Sequence, residues 1–539
     1  MNTMQNIVSQ VPDASLGSTS TLPLTPEEEQ LKQEEESFYS AHDNKHGDDN
    51  IWGLLSGVGG NVYEWYDFAV YGLLAGEIGA AFFPDSSPEL QLINSFGVYL
   101  AAYLMRPLGA VLFGEIGDRI AGRKNALVFS IVLITVPSVI MGLLPTYEMW
   151  GITAPILLVI LRMFQGLSVG GQLAGSYVLS VEQSTASNRG FRGSICDASS
   201  VGGFLLASGV TTVVRHTFSS EQVQNWAWRV PFWFSLLLAP ALYFIVKQSE
   251  ESKLWSERSE QKEAENIIRE QENEQTRPAV VDLLSSPFNR RQLAGMIGVM
   301  CATTSSFYIV FLWSPVYLSH LRGLVSEANA DLMNFIMVGI YIVLLVISGK
   351  LSDSFPHRMD PMRIGLTGIV VAAPVMFGMY ESESVVGIVL AQLQFIVCLA
   401  IVHGGLAAWE VELWMADPSL SFTGVAIGHN VASTVFGGTM PLIATALFYL
   451  SDDLAGDNED ALLPRLIPGL YVSMLACIAL FSISFVIRHP HDVRTGEKKL
   501  RDAYHEDERR RKRRAKKKKK KRKVELAVVG GGSYLPPTT

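Results

Sequence analysis

Apolar runs alternate with short polar segments along most of the chain. Each run is about 20 residues or longer, enough to cross a ~30 Å hydrocarbon core as a helix. A charged stretch separates the first six runs from the last six. We therefore predict an all-α integral membrane protein with twelve transmembrane helices in two six-helix bundles. The predicted spans are 51–82, 90–117, 124–145, 150–181, 192–216, 228–247, 292–318, 329–352, 362–380, 384–415, 422–450 and 464–487.

The polar segments complete a five-part organisation. Residues 1–50 are acidic, contain little that could form a core and lack a cleavable signal peptide, so we expect a disordered cytoplasmic tail. An N-terminal bundle follows at 51–247 and a C-terminal bundle at 292–488. Between them, 248–291 is predicted as a cytoplasmic loop with one surface helix that ends before Pro278. Residues 489–539 form a polybasic tail.

Basic residues mark alternate loops. Arg119, Arg123 and Lys124 lie in the second loop, Arg189 in the fourth and Lys350 in the eighth, whereas PDSSPE, PTYEM and ESES contain none. Short loops that carry Lys and Arg stay on the cytoplasmic side of a membrane. We therefore predict that both termini and the central loop are cytoplasmic, with the plasma membrane as the location.

The composition excludes several other classes of protein. Hydrophobic residues make up 48% of the chain and charged residues only 18%, with a mean hydropathy of +0.24. The four cysteines lie in apolar runs without CxxC spacing, so neither a disulfide framework nor a metal site is predicted. A nucleotide-binding loop, a nucleophile elbow and a metal-ligand cluster are all missing, and we expect no enzyme activity and no cofactor.

Two acids interrupt the first apolar run, in the segment NVYEWYDFAVYG. Glu64 and Asp67 lie about 20 Å along the predicted helix and, three residues apart, share one face of it. An ionised carboxylate at such a depth costs at least ~2.5–3.5 kcal/mol, so it needs a polar cavity or a partner. A proton-coupling role and a structural buried ion pair both meet this need. The neighbouring Trp65 and Tyr66 are candidate substrate contacts.

Arg162 supplies a possible partner from the fourth run. It lies about 18 Å from the outer start of that helix, which matches the depth of Glu64. A pair between them would neutralise both charges, and protonation of the acid would release the arginine for an anion. Gln165 and Gln172 share the Arg162 face and are candidate substrate-binding residues.

Further candidate substrate contacts come from other runs. A guanidinium binds a carboxylate through two parallel hydrogen bonds, so Arg106 and Arg229 favour an acidic substrate. Arg229 is equally explained as a side chain that extends to the outer membrane surface. Aromatic residues of the seventh run suit either a cage for a quaternary ammonium group or a position at the membrane interface: Phe307, Tyr308, Trp313 and Tyr317.

A motif repeats in the two halves. GEIGDRIAGRK (114–124) and GKLSDSFPHR (349–358) share the pattern G-x-[IL]-x-D followed by basic residues. Repeated halves are typical of transporters in which two bundles rock around a central site, although chance is an alternative explanation. We interpret Glu410 and Glu412 as structural. The predicted cytoplasmic gate comprises Asp118, Arg119, Arg123, Lys124, Glu182, Asp197 and Asp353.

Five ordered segments carry a resemblance to a known family. They are EWYDFAVYG, RPLGAVLFGEIGDR, RMFQGLSVGGQ, WRVPF and HNVASTVFGGTMPLI. Over residues 51–488 the chain resembles the major facilitator superfamily, and within it the metabolite:proton symporter branch, which includes symporters of proline and betaine, α-ketoglutarate, citrate and shikimate. The resemblance implies the major facilitator fold and proton-coupled symport of a small organic acid or zwitterionic osmolyte by alternating access.

The chain departs from the family pattern at three places. Ala121 is an extra residue in the first loop motif. Gln172 follows Gly170-Gly171 where the branch usually has glutamate, and an amide cannot carry a proton. His429 precedes Asn430, a candidate substrate contact. Imidazole titrates near neutrality, so His429 is a candidate replacement proton carrier, with a hydrogen-bonded packing histidine as the alternative.

Two other functions are alternatives to symport. A drug or toxin exporter of the same fold is an alternative, although SSVGGFLLASG lacks the proline-containing motif of antiporters. A non-transporting membrane sensor or receptor is another.

The basic run from Arg509 to Lys523 resembles a nucleic-acid patch, but the predicted spans favour binding to anionic lipids, worth ~1 kcal/mol per charge near the surface. We expect no nucleic-acid partner.

Overall fold

The computed structural model describes residues 51–115, 122–170, 172–182, 184–185, 187–248, 279–381, 384–414, 420–455 and 465–487. The regular elements of these residues are all helices. The surface helix predicted before Pro278 and both predicted tails lie outside the described residues, so those predictions stay predictions.

Twelve principal helices follow one another in the described residues. In the first half they are α1 (Ile51–Leu73), α2 (Pro88–Glu115), α3 (Gly122–Leu143), α4 (Thr153–Glu182), α5 (Arg189–Thr217) and α6 (Ala227–Phe244). In the second half they are α7 (Pro287–Leu321), α8 (Glu327–Ser352), α9 (Met359–Tyr380), α10 (Val385–Glu412), α11 (Ser421–Leu454) and α12 (Ile467–Val486). Short helices lie at Ala75–Phe82, Tyr147–Trp150, Ser220–Asn225 and Ala279–Ser285.

Ten of these helices are long and apolar enough to cross a membrane, as judged over the residues that the structure describes. The other two are α1 and α3, and the apolar part of α3 is Val128–Leu143. The bounds differ from the predicted spans in two informative places. The first predicted run divides at Leu74 into α1 and Ala75–Phe82. The seventh helix begins at Pro287 rather than at 292, because the Ser286 hydroxyl caps it by accepting from the Asn289 N–H.

Glycines bring α2 and α4 into backbone contact. A Cβ at Gly166 would overlap the backbone oxygen of Ala102, and one at Gly109 would overlap the backbone oxygen of Leu167. Small residues allow this close approach, and in a membrane the resulting contact replaces the hydrophobic driving force between helices. The glycine of RMFQG therefore sets the distance between the helices that carry Arg106 and Arg162.

We expect Gly166→Ala to destabilise the protein. The added methyl group overlaps a backbone oxygen that cannot rotate away, and overpacking of this kind typically costs ~1–3 kcal/mol. Gly97→Ala on α2 is the matched control, since a Cβ there meets no atom within 4 Å. Thermal unfolding in detergent should show a lower midpoint for Gly166→Ala than for Gly97→Ala. Equal midpoints would contradict the close packing of α2 and α4.

The two halves share one continuous core. Buried side chains of the first half, such as Trp65 and Phe204, belong to the same cluster as Phe307 and Tyr308 of α7. The Phe204 and Phe307 rings lie 4.9 Å apart, edge to face. Aromatic pairs of this geometry add to simple area burial. The centre of the molecule is therefore built where the halves meet, and the charged residues lie around it.

Candidate functional site

Two buried ion pairs lie in the N-terminal half. Asp67 Oδ2 lies 3.7 Å from Arg162 Nη1, and Glu64 Oε1 lies 3.9 Å from Arg106 Nη2. All four side chains are at most 1% exposed. The prediction that Arg162 pairs with Glu64 is therefore wrong. Depth counted from a helix start ignores tilt, and three residues amount to only ~4.5 Å of rise.

Asp67 is held by a full set of partners. Its Oδ2 accepts a hydrogen bond from Gln165 Nε2 at 2.5 Å, and its Oδ1 accepts one from the Ser138 hydroxyl. Arg162 Nη1 donates to Gln165 Oε1 at 2.9 Å, which orients the amide. The Arg162 guanidinium also lies over the Tyr71 ring at 4.3 Å. Gln165 thus fixes the position of the Asp67 carboxylate. The Gln165 side chain itself does not lie at the cavity surface.

Glu64 has a different environment on the same face of α1. Neither carboxylate oxygen has a hydrogen-bond partner, and the 3.9 Å approach to Arg106 is longer than a hydrogen bond. The Arg106 guanidinium lies over the rings of Tyr103 at 5.0 Å and Trp65 at 5.6 Å. Its Nε and Nη2 lack partners, as do those of Arg162, so the two pairs differ in the carboxylate. Buried polar groups are normally satisfied, so this loose pair has capacity for a proton or a ligand.

A cavity lies between the halves, beside Trp65. The space open to the centre of a water molecule is about 40 Å³. This leaves room for about three waters, so the cavity is narrow in this conformation. Its lining residues are Trp65, Leu173, Tyr177, Asp197, Ser200, Val201, Met300, Thr303, Thr304, Phe307, Tyr308, His403, Leu406, His429 and Ser433.

Backbone irregularity accompanies the cavity. In α7 a π-helical segment, Ile309–Trp313, starts directly after Tyr308. In α11 another, Ser433–Gly438, starts at a lining serine. π-Bulges frequently mark functional sites because they change the direction of side chains relative to a regular helix. Two of the four described π-helical segments thus adjoin the cavity; the other two, Tyr317–Leu321 and Ser482–Val486, contain no lining residue.

Asp197 belongs to the cavity. Asp197 is predicted as a cytoplasmic gate residue, whereas the structure places it about two turns into α5, against α4 and α10. Its Oδ1 accepts a hydrogen bond from the Tyr177 hydroxyl and lies 3.7 Å from His403 Nε2. Its Oδ2 is buried without a partner. His403 Nδ1 is hydrogen-bonded to the Tyr341 hydroxyl at 2.6 Å.

Sequence reasoning missed His403 and Tyr177. The available signal was a histidine inside a run of strongly apolar residues, LAIVHGG, since an ionisable residue at membrane depth is functional by default. The same rule, applied to Asp197, predicts a functional site within the membrane rather than a residue of the cytoplasmic gate. Its partners come from helices far apart in sequence, which no spacing along one helix reveals.

His429 also lines the cavity and has an acidic partner. Its Nδ1 lies 3.1 Å from Glu410 Oε2, and its ring meets Tyr177 edge to face at 5.7 Å. Glu410 is fully buried. Both interpretations of His429 as proton carrier and as packing residue are compatible with this pair. The structural role expected for Glu412 agrees with its bidentate pairing with Arg358, at 2.9 and 3.0 Å.

Other predicted substrate contacts lie away from the cavity. Arg229 is half-buried and donates to the backbone oxygen of Leu144 at 3.2 Å. Within the C-terminal half, Trp313 Nε1 donates to Thr445 Oγ1 at 2.9 Å and Tyr317 packs against aromatic rings of α9 and α11. Of the proposed α7 cage, only Phe307 and Tyr308 reach the cavity.

Two more predicted contacts have structural partners. The Tyr66 hydroxyl donates to the backbone oxygen of Pro231 at 2.7 Å. Asn430 Nδ2 donates to the backbone oxygen of Gly170 at 2.6 Å, and so joins α11 to α4. The side chain of Gln172 lies outside what the structure describes.

Asp353 joins the halves at the predicted cytoplasmic end. Its carboxylate accepts hydrogen bonds from the N–H groups of Gly190 and Phe191 at 2.8 and 3.0 Å, and also pairs with Arg358 at 3.1 Å. A carboxylate at the start of α5 is stabilised by the helix dipole. Glu182 is exposed at the end of α4. Asp118 and Arg119, with the side chains of Arg123 and Lys124, lie outside the described residues.

A second charge cluster joins the opposite ends of the helices. Arg215 at the end of α5 lies 2.6 Å from Glu77 Oε1 and 2.8 Å from Asp331 Oδ2. Glu327 Oε2 is 3.4 Å from Arg215 Nε, and Glu327 Oε1 is 3.2 Å from His320 Nε2. Sequence analysis did not single out any of these residues. Glu77 and Arg215 belong to the first half, and the others belong to the second.

Helical halves that meet at a cavity, with paired charges buried at membrane depth, define a multi-pass membrane transporter. The chain belongs to the sugar (and other) transporter family, which matches residues 53–491. This confirms the recognition of the major facilitator superfamily and the expectation that the protein is not an enzyme.

Curated relatives narrow the comparison. The chain is 30% identical over 423 residues to the proline/betaine transporter of Salmonella typhimurium, covering 78% of this chain and 80% of the relative. It is 29% identical over 400 residues to the alpha-ketoglutarate permease of Escherichia coli, covering 74% and 87%.

Solved structures share the fold. The proton:xylose symporter XylE, a major facilitator superfamily protein solved with 6-bromo-6-deoxy-D-glucose, superposes with a TM-score of 0.61 at 19% identity and covers 83% of this chain and 98% of that one. The human organic anion transporter MFSD10 gives a TM-score of 0.53 at 13% identity, covering 81% and 100%. These similarities confirm the all-α major facilitator fold.

Proposed function

We propose that the protein is a proton-coupled symporter of a small organic acid or zwitterionic osmolyte. The observation that carries the proposal is the loose Glu64–Arg106 pair, which is buried next to Trp65, a residue that lines the cavity, and whose carboxylate has no hydrogen bonds. Relatives named as proline/betaine and alpha-ketoglutarate transporters support this range of substrates. We place the protein in the plasma membrane, with both termini in the cytoplasm.

Coupling would follow from competition for Arg106. When Glu64 is ionised, it neutralises the nearby guanidinium across 3.9 Å. A proton on Glu64 removes that negative charge and leaves Arg106, with two unpartnered nitrogens, available for a substrate carboxylate. Binding of proton and substrate would then favour one another. Intramembrane acids commonly serve as proton relays in transporters. Asp67 and His429 are further candidates for proton exchange.

Alternating access requires contacts between the halves to break at one end at a time. The Arg215 cluster joins the halves at one end. At the other end, Asp353 of the second half accepts a hydrogen bond from the start of α5 in the first half. Both sets are formed in this structure, which agrees with the narrow cavity. Opening on either side would separate one cluster and keep the other, so each cluster sets the stability of one closed end.

The polybasic segment from Arg509 to Lys523 is proposed to bind anionic lipids of the cytoplasmic leaflet. Its charge density favours such a surface by ~1 kcal/mol for each basic residue held near it. The assignment depends on the cytoplasmic orientation inferred from the basic loops.

Transport into proteoliposomes tests the proposed function. With purified full-length protein, we expect radiolabelled proline, glycine betaine or α-ketoglutarate to accumulate when the outside is more acidic than the inside. Accumulation should stop when a protonophore dissipates the gradient, and protein-free liposomes are the control. Uptake that ignores the proton gradient would contradict coupling. Solute-independent efflux of cationic dyes would favour the exporter, and ligand binding without flux of any solute would favour the sensor.

A further inference from the structure

Asp197 presents an unpartnered carboxyl oxygen to the central cavity. Its side chain is 3% exposed, its Oδ1 accepts from Tyr177, and its Oδ2 has no hydrogen-bond partner. A buried carboxylate oxygen without a partner is costly and in a native structure calls for an explanation. Because Asp197 lines the cavity, a ligand that enters the cavity can supply the missing partner.

The groups that face Asp197 do not neutralise it permanently. They are Tyr177 on α4, Tyr341 on α8, His403 and Glu410 on α10, and His429 on α11. His403 is 3.7 Å away, beyond hydrogen-bonding distance, and His429 is engaged by Glu410 at 3.1 Å. No lysine or arginine is found among the described lining residues. An ionised Asp197 therefore has no fixed countercharge at this end of the cavity.

Aromatic rings enclose the same space. Trp65 and Tyr308 are stacked with centroids 6.3 Å apart, and Phe307 meets Tyr308 edge to face at 5.6 Å. All three line the cavity together with Tyr177. Aromatic faces attract cations, including quaternary ammonium groups that cannot donate a hydrogen bond. The walls and the acid therefore favour the same kind of ligand.

We infer that the transported solute carries a positively charged nitrogen and that Asp197 Oδ2 receives it within the aromatic walls. The inference rests on the proposed transport function and selects the zwitterionic osmolyte over the organic acid. A dicarboxylate has no positively charged group that could pair with Asp197, and its negative charges would be repelled by the Asp197 carboxylate. A secondary ammonium would donate a hydrogen bond to Oδ2, and a trimethylammonium group would be held by charge and by the rings.

Ligand-dependent thermal unfolding of the full-length protein tests the inference. We expect glycine betaine or proline, but not α-ketoglutarate, to raise the unfolding midpoint of the wild-type protein. Asp197→Asn keeps the shape and removes the charge, so the concentration of betaine or proline needed for half the shift should rise at least about tenfold, the factor that corresponds to 1.4 kcal/mol. Asp360→Asn, an exposed acid paired with Arg363, is the matched control and should bind as the wild type does.

Two results would overturn the inference. One is a shift with α-ketoglutarate that Asp197→Asn retains. The other is wild-type affinity of Asp197→Asn for betaine and proline; if proton-driven accumulation is lost at the same time, Asp197 is a proton carrier. If Asp197→Asn does not fold, Asp197→Glu replaces it, because the retained charge should preserve the preference for betaine or proline over α-ketoglutarate.

The binding experiment separates this inference from the proposed function. If betaine or proline binds in an Asp197-dependent way but no solute crosses proteoliposomes, transport is refuted and the site remains. If proton-driven transport is found but is confined to α-ketoglutarate, the function stands and the ammonium site is refuted.

Discussion

Replacement of Glu64 by glutamine should abolish proton-driven accumulation while exchange of solute across the membrane continues. An amide of nearly the same shape cannot take up or release a proton, so binding would no longer be linked to the gradient. A one-unit pH gradient is worth ~1.4 kcal/mol per proton, which supports about tenfold accumulation with one coupled proton. Wild-type proteoliposomes should approach that ratio, and Glu64→Gln should remain near equal concentrations on both sides.

Two measurements make the Glu64 result specific. Counterflow of labelled solute into preloaded liposomes should persist in Glu64→Gln, which shows that the variant folds and binds. Glu221→Gln, in the short helix Ser220–Asn225, removes an exposed acid of the same kind and should accumulate solute as the wild type does. Wild-type accumulation by Glu64→Gln would refute the role of Glu64 in coupling and would direct attention to Asp67 or His429.

The membrane class and the helices were predictable because their signal is local. Runs of about 20 apolar residues specify a spanning helix regardless of its neighbours. Start positions were less predictable, because the seventh helix begins at Pro287, where Ser286 caps it, and not at the predicted residue 292. The break at Leu74 was also missed, since the residues on either side of it are equally apolar.

The candidate site was predicted less completely because its geometry is a property of several helices. Glu64 and Asp67 were recognised from one helix, but Arg162 was assigned to Glu64 instead of Asp67, since a guanidinium can reach either acid across one turn. Asp197 was counted as a gate residue because its position along α5 says nothing about Tyr177 or His403. The aromatic residues of α7 divide between the cavity and the bundle core where a π-helical segment changes the direction of the helix face.

Arg215 illustrates how much stability can depend on one side chain that no motif marks. It is 5% exposed and is the basic partner of Glu77 and Asp331, which are 4% and 0% exposed. Glu77 Oε2 and Asp331 Oδ1 already lack hydrogen-bond partners. Removal of the guanidinium would leave two buried carboxylates without their cation, on opposite halves of the protein.

We expect Arg215→Met to lower the free energy of unfolding by ~3–5 kcal/mol, the usual cost when one partner of a buried ion pair is removed. Methionine keeps an unbranched apolar stem, so the loss reports the charge rather than an empty space. The matched control is Arg363→Met, whose pair with Asp360 is more than a third exposed and should contribute at most ~1 kcal/mol. Thermal unfolding in detergent measures both variants.

A triple variant tests whether the loss comes from the unpaired acids. Adding Glu77→Gln and Asp331→Asn to Arg215→Met removes the two negative charges, so part of the lost stability should return, because an uncompensated buried charge costs more than a neutral polar group. Neighbouring charges of this kind are non-additive, and the recovery measures their coupling. If the triple variant is less stable than Arg215→Met, the cluster is held by hydrogen bonds and packing rather than by charge. In that case the tightness of this closed end would not depend on Arg215 neutralising acids from both halves.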